Sequence, residues 1–199
     1  MLGPHNLNGH IPCAVDVETT GLLAGYDEII QIAAVPLDQN FEPQGKFFYL
    51  NMFPDNPERL TSEAQDKHGI SMDELSGCVS QTRGVELFDE WFHKLNLSSG
   101  KKLVPIAHNW GFERGFLIHW LGLDGVNYVW HPHPRDTMIM AAMINDLYTW
   151  HGRKYPFSRI NLKAMCKKFD ITLDNAHNAL SDSLATAKLF ASFLRFLHS

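Results

Sequence analysis

Two acids stand two residues apart at the end of an apolar run, Ala14-Val15-Asp16-Val17-Glu18-Thr19-Thr20-Gly21-Leu22. In a strand, successive side chains point to opposite faces, so both carboxylates leave from the same one. Like charges at that spacing repel, and a divalent cation is the usual relief. Two further segments carry the groups such a site would need. Glu113 falls in His108-Asn109-Trp110-Gly111-Phe112-Glu113, at the first turns of an expected helix just past a buried strand. An acid there serves either a metal or simply the helix dipole. His177 and Asp182 fall in His177-Asn178-Ala179-Leu180-Ser181-Asp182, the aspartate inside an otherwise apolar helix. Five residues on a helix point about 140° apart. The two therefore turn toward one site if His177 lies just outside the helix.

The elements that must position these residues are legible from periodicity. Residues 11–17, 29–35 and 46–52 read as strands joined by short turns, an antiparallel meander. Residues 61–68, capped by Thr61 or Ser62, and 71–75 read as short helices. Residues 85–95 place apolar side chains on one helix face. A buried strand follows at 101–107, then a helix rich in aromatics at 109–121, and further helices at 136–147, 162–169 and 179–197. The last is apolar nearly all the way round and should be largely buried. Strands first, then strand–helix alternation, predict an α/β fold: a mixed sheet flanked by helices.

With 199 residues and no linker, repeat or low-complexity segment, a single domain is expected over 1–199, with its core at about 10–197. No run is long and apolar enough to span a membrane. The start, Met1 to Asn6, lacks the basic and apolar pattern of a signal peptide. Cys13, Cys78 and Cys166 form no paired motif and sit among apolar residues, which suits reduced core thiols and a cytoplasmic protein. The net charge of −5 does not advertise nucleic-acid binding, but its distribution is uneven. Eight acids and two bases occupy residues 1–60; six bases and no acid occupy residues 153–168. That basic stretch could hold a phosphate chain or be a solvated helix face. His131-Pro132-His133 reads as a loop, and Met138, Met140 and Met143 as core filler.

The ordered segments resemble the DEDDh group of 3′–5′ exonucleases, the DnaQ-like branch of the ribonuclease H-like fold. Asp16-Val17-Glu18-Thr19-Thr20-Gly21 is similar to the family's first motif, His108-Asn109 through Phe112-Glu113 to its second, and His177-Asn178-Ala179 with Asp182 to its third. His68-Gly69-Ile70 resembles a segment the family carries between its third strand and first long helix, and Asp136-Thr137 the start of a later helix. The resemblance covers nearly the whole chain. One departure stands out: Glu113 replaces the family's usual aspartate, keeping the carboxylate but extending it by one methylene.

The resemblance implies a five-stranded mixed sheet and a metal-dependent 3′–5′ exonuclease acting on single-stranded 3′ ends of DNA or RNA. It implies two divalent cations, Mg²⁺ or Mn²⁺, about 3.5–4 Å apart. Asp16 would bridge both, Glu18 and Asp182 would complete one shell, and Glu113 would serve the second through water. His177 would be the general base. Thr19, Thr20, Gly21 and Leu22 would grip the terminal nucleotide, with His68, Asn109 and Phe112 lining the same pocket. Two other readings stay open: a catalytically weakened nucleic-acid-binding module, and a proofreading subunit associated with a polymerase. Oligomeric state, homodimer or monomer, is equally open.

Overall fold

The computed structural model describes residues 7–174 and 176–198, so the reading of Met1 to Asn6 lies outside the described residues. Three strands open the fold: β1 (Ile11–Thr19), β2 (Ile29–Pro36) and β3 (Phe48–Phe53). They pair antiparallel, as the meander reading expected. Two short helices follow, α1 (Ser62–His68) and α2 (Met72–Leu75), then β4 (Val79–Ser80) and α3 (Gln81–Lys94). The second half comprises β5 (Leu103–Ala107), α4 (Trp110–Val129), β6 (Arg135–Asp136), α5 (Thr137–Trp150), α6 (Leu162–Lys168) and α7 (Ala179–His198). The strands form one mixed sheet in the order β4-β3-β2-β1-β5-β6. β1 and β5 are parallel neighbours. The sheet has six strands where five were expected, because β4 and β6 pair along only two residues each and form its edges.

Caps explain the helix starts. Thr61 accepts the Ala64 amide, and Ser71 forms a reciprocal capping box with Glu74. Gly122, at φ 76°, kinks α4 where the aromatic helix was expected to end.

Alternation along β1 decides what each face meets. Cys13, Val15 and Val17 pack with Phe88, Trp91 and Phe92 of α3 and Phe116 and Leu117 of α4. Ala14 faces the opposite way, into a cluster with Val35, Ile106 and the α7 residues Ala187 and Phe190. Asp16 and Glu18 share the parity of Ala14 and so belong to the α7 side. β2 is buried at all eight positions, which accounts for a run that is apolar except at Gln31. α7 is buried around much of its circumference, as its composition predicted. Two readings need correction. Met143 is 64% exposed on α5 and fills no core, and Cys78 is only half-buried.

Candidate active site

The site gathers at the end of β1 where the sheet ladder stops. Asp16 lies opposite Ala33 and Glu18 opposite Gln31, and the register shifts between Glu18 and Thr19. That irregularity turns the chain into the loop leading to β2. The loop is held by its own polar groups. Thr19 Oγ1 donates to the Gly21 carbonyl at 2.6 Å, and Thr20 Oγ1 accepts the Glu28 amide at 3.0 Å. Buried Asp27 accepts the Leu23 amide at 2.8 Å. A Cβ on Gly21 would fall 2.5 Å from Asp27 Oδ2, so any other residue in this turn must displace that carboxylate. Both threonine hydroxyls are committed to the loop, and Thr20 is fully buried. What they present outward is Leu22, 74% exposed at the cavity mouth.

Opposite stands the start of α7. His177, at φ 68°, precedes the helix, so the five-residue spacing to Asp182 is not helical throughout. Its backbone amide donates to Asp182 Oδ2 at 3.3 Å. Asn178 caps the helix, its Oδ1 accepting the Ser181 amide, while its side-chain amide donates to the Tyr49 hydroxyl. Gln31 of β2 accepts the Ala179 amide at 2.7 Å and donates to Asn51. One buried glutamine thus ties the strand beside Glu18 to the helix that carries Asp182.

The third component comes from the β5–α4 junction. Ala14 pairs with Ile106, so Asp16, two residues on, lies level with the chain turning into α4. Asn109, at φ 95°, makes that turn. Asp136 anchors it: one carboxylate oxygen accepts the Trp110 amide at 2.8 Å, and the other caps α5 through Met138 and Ile139. Thr137 donates to the Ala107 carbonyl and meets His108 Nδ1 at 2.8 Å. Glu113 follows, buried, one turn into α4.

These segments enclose a cavity of about 460 Å³. Asp16, Glu18, Leu22, Asn109, Phe112, Glu113, His177 and Asp182 all line it. Donor atoms of Glu18, His177 and Asp182 lie within 4.8 Å of one another. Thr19, Thr20 and Gly21 stand behind Leu22 in the loop and are not among the lining residues. His68 stands beside the site: its Nδ1 accepts the Ile70 amide, and its ring lies close enough to His177 for the two to repel when charged. Phe112 both lines the cavity and packs on the core. Trp110 is a core residue against Trp130.

Burial and mutual repulsion dominate the electrostatics. Desolvation, then the charges of Glu18, Glu113 and Asp182, push Asp16 well above the usual carboxylate range. Desolvation and Asp182 raise Glu18 to about 7. Desolvation raises Asp182 to about 6, against the opposing His177 amide. Glu113 is raised by burial, then by Asp136 and Glu18. His177 is lowered by burial and by the nearby ammonium groups of Lys67 and Lys163, which favours its neutral, proton-accepting form. Glu113 Oε2 and Asp182 Oδ1 are buried without a hydrogen-bond partner. Orphaned carboxylate oxygens in an acidic cluster are what a hard divalent cation would satisfy, so the residues fit such ions.

The cavity also includes residues the motifs did not point to. Lys67, which opens the Lys67-His68-Gly69-Ile70 segment but carried no expected role, lines it from α1. Lys163, with Asn161 and Leu162, lines it from the start of α6. Of the basic stretch, then, Lys163 faces the site, while Arg153, Lys154, Arg159, Lys167 and Lys168 are exposed. Gln31 and Asp136 act from behind. A polar residue in an all-apolar strand was the available signal for Gln31.

Residues 13–190 match the sequence profile of the RNase_T exonuclease family. PolC-type DNA polymerase III of Bacillus subtilis is 34% identical over 183 residues, 90% of this chain, and that of Halalkalibacterium halodurans is 33% identical over 174 residues. The chain spans only about 11% of the length of each polymerase. Among solved structures, Escherichia coli exonuclease I in complex with a dT13 oligonucleotide superimposes with a TM-score of 0.75 at 20% identity, covering 95% of this chain and 43% of that one. The nuclease domain of 3′hExo, a DEDDh family member bound to rAMP, gives 0.69 at 19% identity, covering 94% and 92%. The chain belongs to the exonuclease family whose profile it matches, and it shares its fold with these solved nucleases.

Proposed function

We propose that the protein removes nucleotides one at a time from single-stranded 3′ ends, releasing nucleoside 5′-monophosphates, with two Mg²⁺ or Mn²⁺ ions held by Asp16, Glu18, Glu113 and Asp182. The observation that carries this reading is the convergence of those four carboxylates and His177 on one cavity. The cations, when bound, would neutralise charge developing on the phosphoryl oxygens and acidify the attacking water. Neutral His177 takes the proton from that water as its oxygen attacks phosphorus. The phosphorus–O3′ bond breaks, O3′ takes up a proton from solvent to leave a 3′-hydroxyl on the shortened strand, and the terminal nucleotide departs with a 5′-phosphate. Leu22 and Phe112 hold the terminal nucleotide from opposite elements of the cavity.

The direct assay incubates pure protein with 5′-labelled single-stranded DNA or RNA and Mg²⁺ or Mn²⁺. The expected product is a ladder shortening from the 3′ end that stops on chelation. Binding without shortening, in all four combinations, would refute the reading and favour a binding module. A second reading, association with a polymerase, draws on the relatives of which this segment resembles a small part. Co-purification with a replicative polymerase through this chain tests it.

A further inference from the structure

A second cavity, of about 600 Å³, lies beside the catalytic one and has no part in the chemistry above. Leu22 and Lys67 line both, so the two spaces share a wall. Leu23, Tyr26 and Arg59 form its other surfaces. Leu22, Leu23 and Tyr26 are 74%, 67% and 54% exposed, a concentration of open apolar surface on one short loop. That loop is held in place. The Tyr26 and Asp27 amides both donate to the Leu23 carbonyl, at 2.9 and 2.8 Å, and Asp27 accepts the Leu23 amide. Arg59 fixes the ring from the side. It donates to the Tyr26 carbonyl at 2.7 Å, lies 3.8 Å from Glu28, and places its guanidinium carbon 4.2 Å from the Tyr26 ring centroid. A cation over one face of an exposed tyrosine leaves the other face to stack.

We infer that this cavity is a second nucleotide subsite, in which Tyr26 stacks on the base next to the nucleotide being released. The inference rests on the nuclease reading and extends it to the following residue of the strand. Single strands are recognised without sequence preference by aromatic platforms beside cations that track the backbone. Tyr26 supplies the platform. Lys67, at the junction of the two cavities, stands where the phosphate joining the two nucleotides must pass. The charge inside the second cavity argues for a base and against a phosphate there. Arg59 is already opposed by Glu28, and Glu58 and Glu63 line the wall alongside Asp27. Carboxylates repel phosphate but accept hydrogen bonds from the amino groups of bases.

The test compares a single-stranded DNA oligonucleotide with one lacking only the base at the penultimate 3′ position. Affinity is read by fluorescence anisotropy with chelator present, so no cleavage is required. Wild type should bind the abasic strand about 5- to 150-fold more weakly, the range expected for one stacked base. In Tyr26→Ala that penalty should shrink to within about twofold, and Tyr26→Trp should restore it. An undiminished penalty in Tyr26→Ala, no penalty in wild type, or no binding of the intact strand would each overturn the subsite. A normal penalty in a protein that never shortens the strand would sink the nuclease reading and leave the subsite standing.

Discussion

On the proposed function, cation binding at this site is a competition with protons. Glu18 is pushed up to about 7 and Asp182 to about 6, and both must ionise to act as ligands. Taking those two values alone, both carboxylates are ionised together in about one molecule in twenty at pH 6 and about nine in ten at pH 8. Affinity for Mn²⁺ should therefore rise about 20-fold over that interval, a little under 2 kcal/mol. Asp16 and Glu113 are shifted in the same direction, so the true gain should be no smaller. Calorimetric titration at pH 6, 7 and 8, in two buffers of different ionisation enthalpy, measures both affinity and protons released. Glu18→Gln should flatten the profile to about twofold, the share of Asp182 alone. A dissociation constant that changes less than about threefold in wild type, without proton release, would refute the reasoning. The same shifts fix a sign for stability. Carboxyls raised in the folded state bind more protons there than in the unfolded chain, between the unfolded values near 4 and the folded values of about 6 and 7. The cation-free protein should therefore lose stability as pH rises through that window, and added cation should restore it above pH 7.

His177→Asn keeps a side chain tolerant of left-handed backbone but cannot accept the proton; turnover should fall about 10²- to 10⁴-fold with little change in melting temperature. Retained turnover would remove His177 from the mechanism. Gly21→Ala forces a Cβ against the Asp27 carboxylate and should cost about 1–3 kcal/mol, or roughly 2–10 °C in melting temperature. An unshifted melt would show that the loop yields. Gln31→Leu leaves the Ala179 amide buried without its acceptor and should cost about 1–3 kcal/mol in urea unfolding. Because that amide opens α7, activity should fall too; unchanged stability would place the anchor elsewhere.

The helices were legible from their apolar faces and β2 and β5 as apolar stretches buried throughout, while in β1 the alternation of Cys13, Val15 and Val17 against Ala14, Asp16 and Glu18 is the sheet's two faces written in sequence. The acidic groups and His177 were legible because few other arrangements use such residues at those spacings. The supporting residues were not. Gln31 stands out locally as the polar residue of β2, but nothing local names its partner, a helix 148 positions away, or marks Asp136 as the anchor of α4. The two-residue edge strands carry no periodicity to read. Thr19 and Thr20 show the converse limit. Their presence beside the acids was legible, but only the fold shows their hydroxyls turned into the loop, with Leu22 as the surface they present.

The glutamate at position 113 can be understood from its neighbours. Were it there to cap α4, it would be bound to the free amides of the first turn. Asp136 already holds the Trp110 amide, and the Asn109 carbonyl takes that of Phe112. Glu113 Oε2 is instead buried and unpartnered in the wall of the cavity. An isolated buried carboxylate oxygen costs on the order of 1–3 kcal/mol or more. Capping does not recover that cost, whereas a cation beside Glu18 and Asp182 would. The extra methylene lengthens the reach of the carboxylate while the turn that carries it stays pinned by Asp136. The substitution therefore changes where the carboxylate arrives, and leaves intact the reason for its being there.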